Sequence, residues 1–369
     1  MAGKKITIRD IATQAGVSPA SVSMILNQKN LSRFSDETVK QVQKIAADCQ
    51  YISKPRKHTE KYNKKNTKGI IMIICPSVTS LYYSTLIKSM EQKAIELGFS
   101  TIIRTTYWDK KIEKNLLDYS LVSPDIAGVI FAMIPQQPEL ARIASQQIPM
   151  VTIGDQFQDL GISTVNINNH LAGEMIGKHL IELGHQNVAY ISTALNPEHS
   201  ARVRRRDGVM AAYRSFCPAG KVMVHSVDIP SYTTLNTFGI EHEVGYQLAQ
   251  KCARLHPEIT AMVAINDMVA YGVIDGLHDL GLKIPDDISV CGFDNIFPSR
   301  FGGINLTTIE HSIGERGKRA FQMIADRLSA PTNNSFLEPI IRMEYECRLI
   351  VRGTTGPVKG HNSKTCTMK

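Results

Sequence analysis

The length and composition of the chain limit what it can be. At about 150 residues per domain, its 369 residues correspond to two or three domains, and 43% hydrophobic with 21% charged residues is ordinary for a globular protein. No uninterrupted apolar run reaches the roughly eighteen residues needed to span a membrane. Asp10 and Thr13 interrupt the segment where a signal peptide would be apolar, so we expect a cytoplasmic protein. Seven cysteines without a C-x-x-C pair predict free thiols and no zinc site.

Positive charge is concentrated at the amino-terminal end. Residues 1–68 contain fourteen Lys and Arg against five Asp and Glu, a net charge of +9, whereas the other residues carry 28 against 29, a net charge of −1. A basic segment joined to a near-neutral body is typical of proteins that neutralise nucleic-acid phosphates. A solvated basic tail is the alternative, and the pattern inside the segment decides between the two.

Three short amphipathic helices are predicted within residues 1–50. Thr7 with Asp10 reads as a capping box, and Gly16 suits the left-handed position that ends a helix. Ser18, followed by proline, opens the second helix, and Ser35 opens the third. Their apolar positions at helical spacing are Ile11, Ala12, Ala15, Val22, Ile25, Leu26, Val39, Val42, Ile45 and Ala46.

The first two helices follow the helix-turn-helix plan, in which the second helix lies in the major groove of DNA. The positions that face away from its apolar side are Pro19, Ala20, Ser21, Ser23, Met24 and Asn27. Hydroxyl and amide side chains suit phosphates, while alanine and methionine offer apolar contact, for example to a thymine methyl. A three-helix bundle without a ligand is the alternative, which the local positive charge disfavours.

This segment resembles the headpiece of lactose-repressor-type regulators. The resemblance is carried by T-I-R-D-I-A at 7–12, A-G-V-S-P-A-S-V-S at 15–23 and Asn27, and it extends to Thr38, Val42 and Tyr51. It implies a DNA-binding headpiece over residues 1–53, in which Met24 occupies a base-reading position that is commonly arginine in the family. A different or less hydrogen-bonded half-site is therefore expected. The predicted DNA contacts are Thr7, Ser18, Pro19, Ala20, Ser21, Ser23, Met24, Asn27, Ser35, Thr38, Tyr51, Arg56 and Lys57.

Residues 54–68 form a basic hinge or linker, KPRKHTEKYNKKNTK, with seven basic residues and one acidic residue. The segment is too polar to order itself by burial. The resembled family places a leucine here that wedges into the minor groove, but Glu60 or Tyr62 stands at that place, so leucine wedging is not expected. A plain flexible linker is the alternative to phosphate or minor-groove contacts, for which the candidates are Arg56, Lys57, Lys61, Lys64 and Lys65.

The chain beyond residue 68 alternates apolar runs with helical stretches. The runs at 69–75, 101–104, 128–133, 150–153, 188–191, 261–265 and 288–291 predict strands of parallel sheets buried on both faces. Three helices end alike, with Gly98, Gly184 or Gly281 at a left-handed position before a strand. We predict an α/β core of two doubly wound parallel-sheet subdomains over residues 69–355, like that of periplasmic binding proteins, and a flexible tail over 356–369.

The core resembles the effector-binding core of the same regulators through about residue 355. The matching stretches are A-I-N-D at 264–267, P-D-D-I-S-V-C-G-F-D at 285–294, L-T-T-I at 306–309 and R-G-T-T at 352–355. Parallel sheets bind ligands outside the carboxyl ends of their strands, so two such halves form a cleft there. By position and by resemblance, the predicted effector-binding residues are Tyr82, Tyr83, Arg205, Phe238, Asn266, Asp267 and Asp294. Aromatic faces with carboxylates and a guanidinium suit a sugar or sugar derivative.

Some of these residues have simpler alternatives. Asp267 has the position of a residue that caps its helix. Arg205 has the surroundings of a solvated cluster, with Arg202, Arg204 and Arg206 beside it. The sequence leaves both alternatives open.

The sequence therefore predicts a transcriptional regulator, a repressor that binds a near-palindromic operator as a homodimer under the control of a small effector. The tail lacks the leucine heptads of a tetramerising helix. No G-x-G-x-x-G, P-loop, H-E-x-x-H or EF-hand pattern occurs, so no enzyme activity, cofactor or metal is predicted. A solute-binding protein of a transport system and a Rossmann-type enzyme are the alternatives. The sequence does not decide whether the effector releases or promotes DNA binding.

Overall fold

A computed structural model describes residues 7–26, 34–48, 68–155, 159–196, 200–230, 233, 239–329 and 339–359. The chain divides into two compact units, Met1–Lys64 and Lys65–Lys369. Most of the predicted hinge, and with it the proposed contacts from its lysines, lies outside the described residues. So do these predicted site residues: Asn27, Tyr51, Arg56, Lys57 and Phe238.

The described part of the first unit contains three short helices, α1 (Ile8–Ala15), α2 (Pro19–Leu26) and α3 (Asp36–Asp48). Each is amphipathic, and their apolar faces form one small core, as predicted. The buried side chains are Ile11, Ala12, Ala15, Val22, Ile25, Val42 and Ala46, and half-buried Leu26, Val39 and Ile45 pack against them.

The predicted signals at the ends of α1 are present. The Asp10 carboxylate accepts hydrogen bonds from the backbone N–H and the hydroxyl of Thr7 at 2.7 and 2.6 Å. Gly16 ends α1 in the left-handed region with φ of 65°. A residue with a Cβ would be strained there, so the tight turn between α1 and α2 depends on this glycine.

The other two helices begin at serine caps. The Ser18 hydroxyl accepts the backbone N–H of Ser21 at 3.1 Å, and the Ser35 hydroxyl accepts the backbone N–H of Thr38 at 3.3 Å. Both contacts satisfy an N–H that has no partner inside its helix. The sequence therefore defines the residue at which each of these two helices begins.

The second unit contains a six-stranded parallel sheet and a four-stranded parallel sheet, each the centre of one α/β subdomain. The strand order is β11-β5-β4-β3-β1-β2 in the first subdomain and β7-β6-β8-β9 in the second, and β10 pairs with β12 in an antiparallel ribbon. The strands are β1 (Ile70–Cys75), β2 (Ser100–Thr105), β3 (Ile126–Phe131), β4 (Met150–Ile153), β5 (Ser163–Ile167), β6 (Asn187–Thr193), β7 (Lys221–Val227), β8 (Ala261–Ala264), β9 (Ser289–Cys291), β10 (Thr308–Glu310), β11 (Arg342–Tyr345) and β12 (Arg348–Ile350).

Helices cover the sheets and confirm the predicted α/β class. They are α4 (Leu81–Leu97), α5 (Lys110–Val122), α6 (Pro138–Ala144), α7 (Asn169–Glu182), α8 (Ser200–Phe216), α9 (Ile240–Leu255), α10 (Asp267–Asp279) and α11 (Ile313–Ser329). The glycines predicted to end three of them have positive φ values, 76° at Gly98, 87° at Gly184 and 74° at Gly281. A left-handed residue at each of these points turns the chain towards the next strand.

Every predicted apolar run forms a strand, but five further strands lack that signal. β7, for example, is an edge strand in which Lys221, His225 and Ser226 limit the apolar run to residues 222–224, and none of its residues is buried. β5 carries polar residues, and β10, β11 and β12 have three or four residues each. Such short or half-exposed strands do not produce a continuous apolar run.

The chain passes from one subdomain to the other between β5 and α7, between β10 and α11, and between β11 and β12. Helix α11 packs against α4 and strands β3, β4 and β5, and β11 then joins the edge of the first sheet next to β5. The first subdomain is therefore completed by segments that follow the second subdomain in sequence.

Two helix pairs of the second subdomain approach each other closely at glycines. A Cβ at Gly173 of α7 would collide with the carbonyl oxygen of Arg205 in α8, and a Cβ at Gly272 of α10 would collide with the carbonyl oxygen of His242 in α9. Close backbone approach fixes the depth at which these helices pack. Arg205 is a predicted site residue, and the contact with Gly173 positions its backbone.

The close approach predicts a large effect of one methyl group. Gly272→Ala is expected to destabilise the core by about 1–3 kcal/mol or more despite the higher helix propensity of alanine, because the backbones of α9 and α10 must separate. The control is Gly303→Ala, where no atom lies within 4 Å of the added Cβ, and its effect is expected to stay within about 0.5 kcal/mol. Urea unfolding of the full chain measures both, and equal midpoints for the two variants would contradict the prediction.

Candidate effector and DNA-binding sites

A cavity of about 120 Å³, here called the effector cavity, lies between the two subdomains at the carboxyl ends of their strands. The structure brings together five of the predicted effector-binding residues in its wall: Tyr82, Tyr83, Arg205, Asn266 and Asp294. They come from α4, from α8 and from the ends of β8 and β9, which are distant in sequence. Parallel-sheet topology alone brings these strand ends to one edge.

The aromatic side of the effector cavity is formed by two tyrosines in the first turn of α4. The rings of Tyr82 and Tyr83 meet edge to face, with centroids 4.9 Å apart. Burial raises the pKa of Tyr83 well above its usual value, so this phenol stays protonated at neutral pH. The pair presents flat apolar faces with hydroxyl groups at their edges.

Arg205 is held in place by several partners. Its Nε donates to the Asn169 side-chain oxygen at 2.9 Å and its Nη1 to the Ile265 carbonyl at 3.0 Å, while Nη2 lies 3.7 Å from the Asp294 carboxylate. The guanidinium also lies over the Phe293 ring, 3.5 Å from its centroid. Arg205 is therefore not part of a solvated cluster, and that alternative is wrong.

Asp294 accepts from a buried histidine whose tautomer the geometry defines. Arg316 can only donate, and its Nη2 lies 2.8 Å from Nδ1 of His311, so Nδ1 is the acceptor and Nε2 carries the proton. Nε2 then donates to Asp294 at 3.0 Å. Burial and the nearby guanidinium charges of Arg316 and Arg205 hold the pKa of His311 well below its usual range, in agreement with a neutral ring. Arg316 also donates to the Tyr82 hydroxyl at 3.0 Å.

The charge of Asp294 depends on pH in the range just below neutral. Burial raises its pKa from 3.8 to about 6, and the positive charges of Arg205, Arg316 and Arg202 oppose this rise. The carboxylate is thus ionised at pH 7.5 and largely protonated at pH 5. This change of charge occurs at the wall of the effector cavity.

Asn266 and Asp267 have different positions although they are neighbours. Asn266 caps α10 through the backbone N–H of Val269 at 2.9 Å, and its side-chain nitrogen donates to Glu241 at 3.0 Å. Asp267 is fully buried outside the wall of the effector cavity. The expected effector contact from Asp267 therefore needs correction. It is not the helix cap either, because Asn266 has that position.

The Asp267 carboxylate instead connects segments behind the effector cavity. It accepts from the Ser299 hydroxyl at 2.5 Å, the Thr308 hydroxyl at 2.6 Å and the Ile296 backbone N–H at 3.0 Å. These bonds join the start of α10 to β10 and to the segment that follows β9. The residue positions the wall of the cavity without touching its contents.

Several residues of the cavity wall were not predicted as contacts. Arg202 lies one helical turn before Arg205 on the same face of α8. The spacing of three residues could therefore have predicted that Arg202 lies in the same wall. Arg202 forms an ion pair with Glu241 at 3.7 Å and lies 5.8 Å from the centroid of Trp108. Burial raises the pKa of Glu241, while the charge of Arg202 lowers it. The unpredicted polar and aromatic wall residues are Ser80, Trp108, Asp155, Ser200, Arg202 and Glu241.

In the first unit, most of the predicted DNA contacts lie at the N-termini of α1, α2 and α3, and Ser23 and Met24 lie further along α2. Thr7, Ser18, Pro19 and Ser35 are exposed. Ser21, Ser23, Met24 and Thr38 are half-buried, and the side chain of Ala20 is outside the described residues. Helix N-termini present N–H groups and a partial positive charge, which favour phosphate oxygens.

In the described parts of the chain, no group of three or more His, Cys, Asp or Glu side chains has the arrangement of a metal site. The same ranges contain no helix long and apolar enough to cross a membrane. The cysteines that they include are free thiols, as predicted: Cys75, Cys217, Cys252, Cys291 and Cys347.

Comparison with known proteins decides the family. The sequence profile described as "Bacterial regulatory proteins, lacI family" matches residues 7–54, and "Periplasmic binding proteins and sugar binding domain of LacI family" matches residues 68–346. The chain belongs to the LacI family. It is a DNA-binding transcriptional regulator, and the predicted family, fold and class of function are confirmed.

Individual LacI-family proteins are similar along almost the whole chain. The "HTH-type transcriptional regulator DegA" of Bacillus subtilis (strain 168) is 29% identical over 96% of this chain and 99% of its own length. The "HTH-type transcriptional repressor CytR" of Escherichia coli (strain K12) is 29% identical over 95% of this chain and 96% of its own length. A solved LacI-family regulator from Enterococcus faecium with bound ribose has a TM-score of 0.66 and 23% identity, covering 78% of this chain and 99% of that one, which supports the fold alone.

The contacts of Asp267 predict a structural effect on substitution. Asp267→Asn is expected to destabilise the core by about 1–3 kcal/mol, because both carboxyl oxygens accept hydrogen bonds and the amide nitrogen that replaces one of them cannot accept any. Burial first, and the charge of Asp294 next, raise the pKa of Asp267 from 3.8 to about 7. The native state therefore binds this proton more tightly than the unfolded chain, and the wild type loses stability relative to the variant as the pH rises from about 4 to about 7.

Urea unfolding of both proteins at pH 5 and pH 7.5 checks this prediction. The deficit of Asp267→Asn should be smaller at pH 7.5. Asp125→Asn, an exposed carboxylate in the turn before β3, is the control and should have little effect at either pH. A deficit that does not shrink between pH 5 and pH 7.5 would contradict the raised pKa of Asp267.

Proposed function

We propose that this LacI-family regulator is a repressor that binds a near-palindromic operator as a homodimer, and that a sugar or sugar derivative in the effector cavity sets its operator affinity. The observation that carries the proposal is the buried Arg205–Asp294 pair facing Tyr82 and Tyr83 in a cavity between two subdomains. The proposed division of the chain is a headpiece over 1–53, a hinge over 54–68, a core over 69–355 and a tail over 356–369. Because its target is the chromosome, we place the protein in the cytoplasm.

The chemistry of the effector cavity favours a polyhydroxylated ring. Carboxylate and guanidinium groups form strong directional hydrogen bonds with hydroxyl groups, and Asp294 and Arg205 are already oriented by other partners. Tyr82, Tyr83 and Trp108 supply flat surfaces for the apolar face of such a ring. The ribose bound to the Enterococcus faecium regulator is a ligand of this class.

Contacts to both subdomains connect effector binding with DNA binding. Tyr82 and Asp155 belong to the first subdomain, whereas Arg205, Asn266 and Asp294 belong to the second. A ligand held by both sides favours one relative orientation of the subdomains, and the operator favours one as well. If these orientations differ the effector releases the operator, and if they agree it recruits the protein, with equal coupling in both directions.

A dimer follows from the way such headpieces read DNA. One reading helix covers a single half-site, and two related helices read a palindrome whose halves lie one turn of DNA apart. In each headpiece the N-terminus of α2, with Ser18 and Ser21, would contact phosphates, and Met24 would contact bases. The methionine offers apolar contact and no bidentate hydrogen bonds.

The role of Asp294 predicts a pH dependence of effector binding. Because the pKa of Asp294 is about 6 in the free protein, sugar affinity is expected to fall by about tenfold between pH 7.5 and pH 5 as the acceptor is protonated. Asp294→Asn should bind weakly at both pH values and lose the dependence. Titration calorimetry with a sugar panel that includes ribose measures this effect. Asp286→Asn, an exposed carboxylate just before the opposite end of β9, should keep both affinity and pH dependence, and a pH-independent wild type would contradict the assignment.

The proposed reading helix predicts the outcome of selection from random DNA duplexes. The wild type should enrich a near-palindromic site, and deletion of residues 1–68 should abolish this enrichment. Met24→Arg should shift the preference at one position of each half-site towards guanine, by about 1–3 kcal/mol, because arginine binds guanine with two hydrogen bonds. Met24→Leu is the control and should keep the wild-type site. Enrichment of an asymmetric site, or none at all, would contradict the dimeric operator.

A further inference from the structure

A second cavity adjoins the effector cavity and has a similar volume, about 120 Å³. It lies between the loop before α4, the strand end at Ala194 and the starts of α9 and α10, and is here called the side cavity. The two cavities share Ser80, Tyr83, Trp108, Arg202 and Glu241. A ligand larger than one ring can therefore occupy both without leaving the cleft.

The walls of the two cavities differ in chemistry. Arg205, Asn266 and Asp294 face the effector cavity alone. Apart from the shared residues, the described wall of the side cavity contains no charged side chain, and its apolar members are Pro76, Ala194, Ile229, Ile240 and Met268. Its two other hydroxyl groups, from Ser77 and Thr79, lie 2.8 Å apart and bond to each other. This wall suits an uncharged group with little polarity.

The boundary between the cavities is the Arg202–Glu241 ion pair. The two side chains are 3.7 Å apart, with 19% and 24% of their surfaces exposed, and Glu241 also accepts from Asn266 at 3.0 Å. Because the two charges compensate each other, a ligand that crosses this boundary needs no charge of its own. Polar atoms in the middle of such a ligand would meet donors and acceptors there.

The size of each cavity matches one ring. An apolar cavity of about 150 Å³ holds one benzene molecule, so each of these cavities, at about 120 Å³, has room for no more than one ring. The shared wall includes the aromatic rings of Tyr83 and Trp108, which are accessible from both sides. The arrangement is therefore polar ring, polar boundary and apolar ring, in that order.

We propose that the effector is a glycoside, with its sugar ring in the effector cavity and an uncharged, largely apolar aglycone ring in the side cavity. The glycosidic oxygen lies beside Arg202 and Glu241. This inference rests on the proposed sugar effector and specifies its class. The side cavity acts as a specificity site that selects the glycoside over the free sugar.

The test compares free sugars with their phenyl glycosides on the full-length protein. Ribose, glucose and galactose, and the phenyl β-glycoside of each, are titrated by calorimetry. For the sugar that binds best, the glycoside is expected to bind about tenfold more tightly or better, because the phenyl ring is transferred from water to an apolar wall. The quantity compared is the ratio of the two dissociation constants.

Two variants connect that ratio to the side cavity. Ile240→Trp fills the cavity and should reduce the ratio to about twofold or less. Met268→Ala removes apolar contact area and should reduce the ratio by about threefold. Leu255→Ala, at the far end of α9 from Ile240, is the matched control and should keep the wild-type ratio. Thermal unfolding verifies that each variant is folded.

The outcomes separate this inference from the function on which it rests. A ratio of about tenfold that Ile240→Trp and Met268→Ala reduce, and Leu255→Ala does not, supports the side cavity as the aglycone site. The side-cavity inference is overturned if a sugar binds and its phenyl glycoside binds no more tightly. It is also overturned if both variants keep the higher affinity for the glycoside. Either result leaves the sugar effector intact. Binding of neither sugars nor glycosides contradicts the sugar effector itself, and the inference with it.

Discussion

The arrangement of the core depends on one buried carboxylate. Asp294 accepts from the neutral ring of His311 and lies beside the guanidinium of Arg205, while Arg316 orients the histidine and reaches Tyr82. These contacts extend from α8 in the second subdomain, across the connection between β10 and α11, to α4 in the first. A buried charge without partners is costly, so each group in this chain of contacts is necessary for the others. Groups that must remain together in this way are suited to transmit a change at the effector cavity.

The same contacts hold the side chains of the cleft in position before a ligand binds. Asn169 holds both Arg205 and, through its side-chain nitrogen, the carboxylate of Asp155 at 2.8 Å, so residues from both subdomains are fixed by one amide. Binding energy is then not spent on ordering these side chains. The conformational freedom that an effector can use lies instead in the connections between the subdomains. Ser312, with φ of 55°, lies in one of these connections, immediately before α11.

The sequence predicted those elements of the fold that have a local signal, such as an apolar run. It did not predict which way individual side chains point. Buried parallel strands such as β1 are continuous apolar runs, whereas the edge strand β7 has no such run because water covers much of it. The position of Asp294 in the site followed from a strand end and from the family resemblance, whereas that of Arg205, which lies in α8, followed from the resemblance. Asp267 was misplaced because neighbouring residues at a helix start point in different directions, and Asn266 alone faces the cavity. Trp108 and Glu241 lie in a loop and at a helix start, where the sequence does not define side-chain direction.

The late position of α11 and β11 in the chain affects how the protein is made. The strands of the second sheet, β6 to β9, follow one another along the chain, so this sheet can form as soon as its segment leaves the ribosome. The first sheet begins at residue 70 but lacks α11, one of the helices that pack on it, and the edge strand β11 until residue 345 has been synthesised. Domains generally fold as their sequences emerge, so here the earlier subdomain waits for the later one. A nascent chain can therefore carry a complete headpiece long before the core that regulates it is finished.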